Sequence, residues 1–106
     1  MKEIKAIIRP GKLAALSGAL RSIPGFPGMT ASKAEGCSAP SRNDPRHTIK
    51  EELTEFSPKV RIEIIAPDDV VEAIVERILA VAATGHFGDG LVWITPVERS
   101  EFVFKR

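Results

Sequence analysis

The chain has 106 residues, of which 43% are hydrophobic and 27% charged, and its formal net charge is +1. This length supports one domain with one core, and the near-neutral charge gives no electrostatic basis for binding nucleic acid or an anionic membrane surface. There is no apolar run of about 18 residues that would insert into a membrane, the charged N-terminus is unlike a signal peptide, and a single cysteine excludes an internal disulfide, so we expect a cytoplasmic protein.

The first third of the chain predicts a strand, a helix and a second strand. Apolar residues alternate over 4–9, which predicts a short and mostly buried strand ending at Pro10. From about residue 12 to 23 the large apolar residues recur every three or four positions, as in an amphipathic helix. Pro24 and Gly25 end that helix, and residues 29–36 predict a strand of modest propensity.

The middle of the chain changes from an irregular segment to the strongest strand signal. Residues 37–57 hold two prolines and a dense mixture of charges, with no regular pattern. A loop of about 20 residues inside so small a domain tends to be functional or disordered. Residues 58–66 predict a buried strand, and the acidic residues at 68–69 open a helix. The expected core stripe of this helix is Val70, Val71, Ile74, Ile78, Leu79 and Val81.

A glycine-rich loop over 84–90 separates that helix from a predicted fourth strand over 91–94. Glycine admits positive φ and leaves its N–H group uncovered, so three glycines in seven residues can approach an anion closely. A plain helix-to-strand turn would use the same residues, and both interpretations stand at this point. We expect Trp93 to lie in the core, and residues 102–104 to form a short fifth strand.

The order of these elements predicts an α+β fold. It is the βαββαβ order of a ferredoxin-like sandwich, in which two helices cover one face of an antiparallel sheet. No helix remains for the other face of the sheet. We therefore expect a homo-oligomer that packs through that face.

Five segments are informative through their order and their spacing along the chain: 1–13, 28–30, 56–64, 67–71 and 84–90. Together they resemble the P-II signal-transduction family, and the likeness runs along most of the chain. The resemblance implies one P-II-like domain over 1–106, with a T-loop at about 37–57, a B-loop at 84–90 and a C-terminal segment at 97–106. It also implies a homotrimer that is a regulator and not an enzyme.

The resemblance further implies that ATP, ADP or AMP binds between subunits, with or without Mg²⁺, and that the T-loop then controls a transporter or an enzyme. The phosphates would follow the B-loop, and Lys59 would lie near the phosphates or near an acidic effector. The adenine and ribose would meet strand residues, and the base of the T-loop would close the site. The positions so assigned are Thr30, Ser38, Ala39, Pro40, Lys59, Glu63, Ile65, Gly88, Asp89, Gly90 and Leu91.

This chain departs from the family pattern at several of these places. Leu91 stands where the family usually has a lysine, and Pro40 stands where it has a glutamine. Phe102 and Phe104 align with two arginines that pair with phosphates in the family. The chain has no tyrosine, which excludes uridylylation at the family's T-loop tyrosine. These departures imply weak ATP binding, a preference for fewer phosphates, or no nucleotide at all.

The alternative function is a P-II-like trimer without nucleotide sensing, which responds to a metal ion or a small anion beside a cation-efflux or bicarbonate system. The candidates for a metal are Cys37, His47 and His86, but they lack the spacing of metal ligands. An enzyme is disfavoured because no catalytic set can be placed together. Nucleic-acid binding is disfavoured by the neutral charge.

Overall fold

The computed structural model describes residues 1–37 and 56–104. Within them, four strands and two α-helices follow one another along the chain: β1 (Lys2–Ile8), α1 (Leu13–Arg21), β2 (Thr30–Gly36), β3 (Ser57–Ala66), α2 (Asp68–Ala82) and β4 (Gly90–Pro96). A 3-10 turn, Pro10–Lys12, leads into α1 because proline at the first position suits a helix start. The four strands and the two α-helices were predicted from the sequence, with boundaries that differ by a few residues.

The four strands form one sheet in the order β2-β3-β1-β4, and every neighbouring pair is antiparallel. Each helix therefore joins two strands that lie on either side of a third. This is the topology of the ferredoxin-like α+β fold, and it confirms the predicted fold class.

The core lies between one face of the sheet and the two helices. The alternating residues of the central strands point into it, so that Ile4, Ala6 and Ile8 of β1 are at most 1% exposed. The rest of the buried cluster comes from β3, the two helices and the turn after α1: Val60, Ile62, Ile64, Ala66, Leu16, Leu20, Ile23, Val70, Val71, Ile74, Ile78 and Ala82.

The predicted core stripe of α2 is partly wrong. Leu79 is 55% exposed, and Ala82 is buried in its place. Val81 packs only partly against the core. The buried positions Val70, Ile74, Ile78 and Ala82 recur every four residues, so Leu79 lies beside the buried stripe and not within it.

The predictions for Trp93 and for a fifth strand are also wrong. Trp93 lies directly opposite Lys5 of β1, so it shares the face of the sheet that is turned away from the helices, and it is half-buried. The neighbouring Val92 takes the position against the core. Residues 101–104 are irregular, and Val103 and Phe104 are exposed.

The second face of the sheet is left uncovered in the part of the chain that is described. β1 contributes Glu3, Lys5 and Ile7 to this open face, and β3 contributes Arg61, Glu63 and Ile65, whereas Lys59 on the same side of β3 is buried. Neither of the described helices is long and apolar enough to cross a membrane.

Candidate functional site

The B-loop lies at one end of the sheet, where three other chain segments end or begin. Its last residue, Gly90, opens β4 and pairs with Ile8, the last residue of β1. At the same end, Gly36 closes β2 and pairs with Ser57, which opens β3. The fold therefore brings the base of the segment between Gly36 and Ser57 next to the B-loop.

The Asp89 carboxylate holds the B-loop together. It accepts hydrogen bonds from the backbone N–H of Thr84 at 2.6 Å and of Gly85 at 3.1 Å, and a short one from the Thr84 hydroxyl. The bonds from Thr84, first from its side chain and then from its backbone, hold the pKa of Asp89 well below its usual range. The carboxylate thus joins the end of the loop to its beginning through hydrogen bonds within the loop.

Two cations attach this loop to the sheet. Arg9 donates from Nε to Asp89 Oδ1 at 3.0 Å and from Nη2 to the carbonyl of Phe87 at 2.9 Å. Lys59 donates from Nζ to the carbonyl of Gly88 at 2.8 Å and is itself buried. Burial, and next the charge of Arg9, lower the pKa of Lys59, while Asp89 opposes that shift.

Glycine is required at position 90 for a steric reason. Its φ is +112°, a conformation that L side chains rarely adopt, and a Cβ there would lie 1.8 Å from the carbonyl oxygen of Ile7. Because β4 enters the sheet directly against the β1 backbone at this point, any side chain would push the two strands apart.

Three of the predicted site residues meet at the opposite end of the sheet. Thr30, Glu63 and Ile65 line one groove together with the chain that enters β2 and the C-terminal residues near Phe102. Thr30 and Glu63 are direct partners across β2 and β3. The groove encloses about 760 Å³, a volume within the range of small-molecule sites.

Within one chain, the B-loop with its two cations lies far from the groove with Thr30, Glu63 and Ile65. Lys59 and Glu63 lie on the same face of β3, four residues from each other, which corresponds to about 13 Å along a strand. Leu91 is 59% exposed at the start of β4, beside the B-loop. The predictions for Ser38, Ala39 and Pro40 fall outside the described residues.

Sequence reasoning placed Thr84 in the B-loop but assigned no role to Thr84 or Arg9, although both hold the B-loop in place. Arg9 follows the last residue of β1, and only the pairing of β1 with β4 reveals that it meets the loop. Within residues 1–37 and 56–104, no three His, Cys, Asp or Glu side chains come together as metal ligands would. His86 contacts the Thr84 hydroxyl at 3.2 Å, and Cys37 is exposed.

The chain is similar to known proteins over nearly its whole length. The family model "Nitrogen regulatory protein P-II" matches residues 1–105. A nitrogen regulatory protein P-II of Nostoc punctiforme is 39% identical over 99 residues, which cover 93% of this chain and 88% of the relative. One of Azospirillum brasilense is 39% identical over 98 residues, covering 92% and 87% of the two chains. Nitrogen regulatory protein P-II 1 of Escherichia coli K12 is 38% identical over 99 residues, with coverages of 93% and 88%. The chain therefore belongs to the P-II family of nitrogen regulatory proteins, which are signal-transduction proteins and not enzymes.

Proposed function

We propose that this P-II protein binds an adenine nucleotide in clefts between the subunits of a homotrimer, and that it controls a transporter or an enzyme through its T-loop. The observation that carries the proposal is the B-loop, a glycine-rich turn held beside Arg9 and Lys59. Loop amides and neighbouring cations together attract phosphate groups. A cytoplasmic location is part of the same proposal.

The groove at the other end of the sheet supports the nucleoside half of the proposal. Its walls combine the apolar side chains of Phe26, Met29 and Ile65 with the carboxylate of Glu63. Such a carboxylate can accept a hydrogen bond from a ribose hydroxyl or an adenine amino group. Glu3 and Glu63 would repel a phosphate at the same place, so the charges favour the base here and the phosphates at the B-loop.

The distance between the two groups supports a site shared between subunits. Lys59 and Glu63 are separated along β3, so a second copy that presents its groove to the first copy's B-loop would complete a cleft. This contact is heterologous, and three copies related by a three-fold axis would close it into a ring. The open face of the sheet would then be buried between copies.

The charge available at the B-loop favours a nucleotide with few phosphates. Arg9 and Lys59 already donate to Asp89 and to loop carbonyls, and Leu91 adds no charge. ATP carries more negative charge than these two cations balance. We therefore expect AMP or ADP to bind more tightly than ATP, and Mg²⁺ to matter most for ATP because it offsets that charge.

The alternative is a trimer of the same fold that responds to a small anion such as bicarbonate without sensing nucleotides. The exposed apolar side chain of Leu91 beside the B-loop favours it, since a polyphosphate gains no contact there. In this case the cations of the B-loop would bind the anion, and the groove around Glu63 would stay unused. The metal-ion form of this alternative has no ligand set in the described part of the chain.

Calorimetric titration with AMP, ADP, ATP and bicarbonate, each with and without Mg²⁺, tests the proposal. We expect AMP and ADP to bind, with lower dissociation constants than ATP. Glu63→Ala should weaken AMP binding by about tenfold or more through the lost hydrogen bond. Glu35→Ala is the matched control, because Glu35 is an exposed carboxylate of β2 outside the groove. Binding of bicarbonate with no heat from any nucleotide would replace the proposal with the alternative.

A further inference from the structure

His86 is an exposed residue of the B-loop whose imidazole ring is hydrogen-bonded to the loop itself. Its Nδ1 lies 3.2 Å from the hydroxyl oxygen of Thr84, and its backbone N–H donates to the same oxygen at 3.3 Å. The Thr84 hydroxyl in turn donates to Oδ1 of Asp89. The side chains of His86, Thr84 and Asp89 therefore form one hydrogen-bonded chain within the loop.

The direction of these bonds determines which nitrogen of His86 carries a proton. The bonds from Thr84, and after them the ion pair with Arg9, hold the pKa of Asp89 well below its usual range, so this group is a carboxylate and can only accept hydrogen bonds. The Thr84 hydroxyl must donate its single proton to Asp89, and it can then only accept from His86. Nδ1 of His86 is therefore the protonated nitrogen, and Nε2 of the neutral ring carries the lone pair.

Protonation of His86 would change the charge of the B-loop without breaking these bonds. Because Nδ1 already holds a proton, a second proton can bind only at Nε2, and the hydrogen bond from Nδ1 to Thr84 is kept. Nε2 then changes from an acceptor into a donor, and the loop gains one positive charge. Imidazole is the side chain whose charge ordinarily changes between pH 5 and 8. A fall in pH across that range would therefore add a cation to the loop while its shape is preserved.

The other charged groups around the loop are already engaged or have the wrong sign to attract an anion. Arg9 follows β1 and Lys59 belongs to β3, and both donate to atoms of the loop. Asp89 is negative and would repel an anion. Among the described residues, α2 carries no charge after Arg77, which donates to a carbonyl of α1, and β4 is uncharged. A protonated His86 is thus a cation of the loop whose outer nitrogen is available to a ligand.

We propose that His86 is a ligand-binding residue of the B-loop, which donates from Nε2 to a bound oxyanion only when its ring is protonated. This inference rests on the proposed function for the identity of the ligand, which is then a phosphate group of a nucleotide. A hydrogen bond between a charged donor and an anion is roughly twice as strong as a neutral one. The affinity of the B-loop for the anion therefore rises as the pH falls from 8 to 5.5.

The assigned tautomer is tested by NMR of the ¹⁵N-labelled protein at pH 8, where the imidazole ring is neutral. His47→Asn removes the only other histidine of the chain, so the remaining ring signals belong to His86. We expect the proton on Nδ1 and a lone pair on Nε2. A proton on Nε2 with an unprotonated Nδ1 would overturn the proposal, because Thr84 could not then accept from the ring.

The anion contact is tested by calorimetric titration of the wild type and His86→Asn with AMP and with inorganic sulfate at pH 8 and pH 5.5. The asparagine amide can replace Nδ1 as a donor to Thr84 but carries no charge. On acidification, the wild type should gain about three- to tenfold in affinity relative to His86→Asn. Comparing the two chains at each pH removes the effect of the titration of the AMP phosphate, and sulfate keeps its charge throughout.

Two further variants make this titration specific for position 86. His86→Lys carries a charge at both pH values, so its affinity should depend on pH no more than that of His86→Asn. His47→Asn is the matched control, and it should keep the pH dependence of the wild type.

The outcomes separate this inference from the proposed function. Equal pH dependence in the wild type and His86→Asn would overturn the inference, and the nucleotide function would stand if AMP binds to both chains. A His86-dependent gain with sulfate, without binding of any nucleotide, would support the inference while refuting the nucleotide function. Failure of both AMP and sulfate to bind at either pH would overturn both.

Discussion

At the scale of single residues, the Asp89 carboxylate organises the B-loop from within. It accepts hydrogen bonds from two backbone amides and forms an ion pair with Arg9. The negative charge of Asp89 therefore stabilises the loop. The resemblance to the P-II family implied that Asp89 lies along the phosphates. The geometry adds a second task, which is to fix the shape of the loop through its bonds to Thr84 and Gly85.

The low pKa of Asp89 makes the stability of the loop depend on pH. In the unfolded chain an aspartate titrates near pH 3.9. Because the pKa is lower in the folded state, the stabilisation is fully present above that pH and is lost as the pH falls below it. Asp89→Asn should therefore have a lower Tm than the wild type at pH 7, and the difference should shrink below about pH 4. Thermal melts of both chains from pH 7 to pH 3 measure this, and a constant difference would show that the carboxylate charge is not responsible.

The residues of the site differ in how far they could be predicted. Gly90 stands out in the sequence because a loop of three glycines precedes a strand, and the structure shows why it must be glycine. The role of Arg9 could not be predicted, because it depends on the pairing of β1 with β4, and the local sequence does not determine the order of strands in a sheet. The engagement of Lys59 with a carbonyl could not be predicted for the same reason.

At the scale of the elements, hydrophobic periodicity predicted the strands and helices well. β1 and β3 are central strands with one buried face, so their alternation is strong. β4 lies at the edge of the sheet, and both Trp93 and Val92 are half-buried there. Because the two neighbours are similarly buried, alternation of apolar residues does not indicate which side of β4 faces the core. Leu79 misled the interpretation of α2, because an apolar residue that directly follows a buried position of a helix can still face solvent.

These assignments predict a clear contrast between two truncations to alanine. Ile62 is fully buried at the centre of the sheet, so Ile62→Ala should reduce the free energy of unfolding by about 2–5 kcal/mol. Leu79 is 55% exposed, so Leu79→Ala should change the same quantity by about 0.5 kcal/mol or less. Denaturant unfolding followed by circular dichroism compares the two variants. A large loss in Leu79→Ala would mean that another surface covers this side chain, as a subunit contact would.

At the scale of the whole molecule, the sheet separates two chemically different ends. One end presents the B-loop with Arg9 and Lys59, and the other presents the groove with Thr30 and Glu63. The fold class followed from the order of elements alone. The distance between the two ends did not, because it depends on which residues share a face of β3. That distance is the physical reason to place the proposed site between copies.

In the proposed function, one nucleotide site takes its two halves from two chains. Glu63→Ala removes the groove half, and Leu91→Glu places a negative charge beside the B-loop at an exposed position, so neither variant alone should bind AMP well. The decisive measurement is AMP titration of an equimolar mixture of the two variants after refolding them together. Random assembly of trimers should restore about a quarter of the wild-type sites, because each mixed ring holds one intact cleft. If the wild type binds AMP and the mixture restores no sites, the two halves act within one chain and the account is wrong.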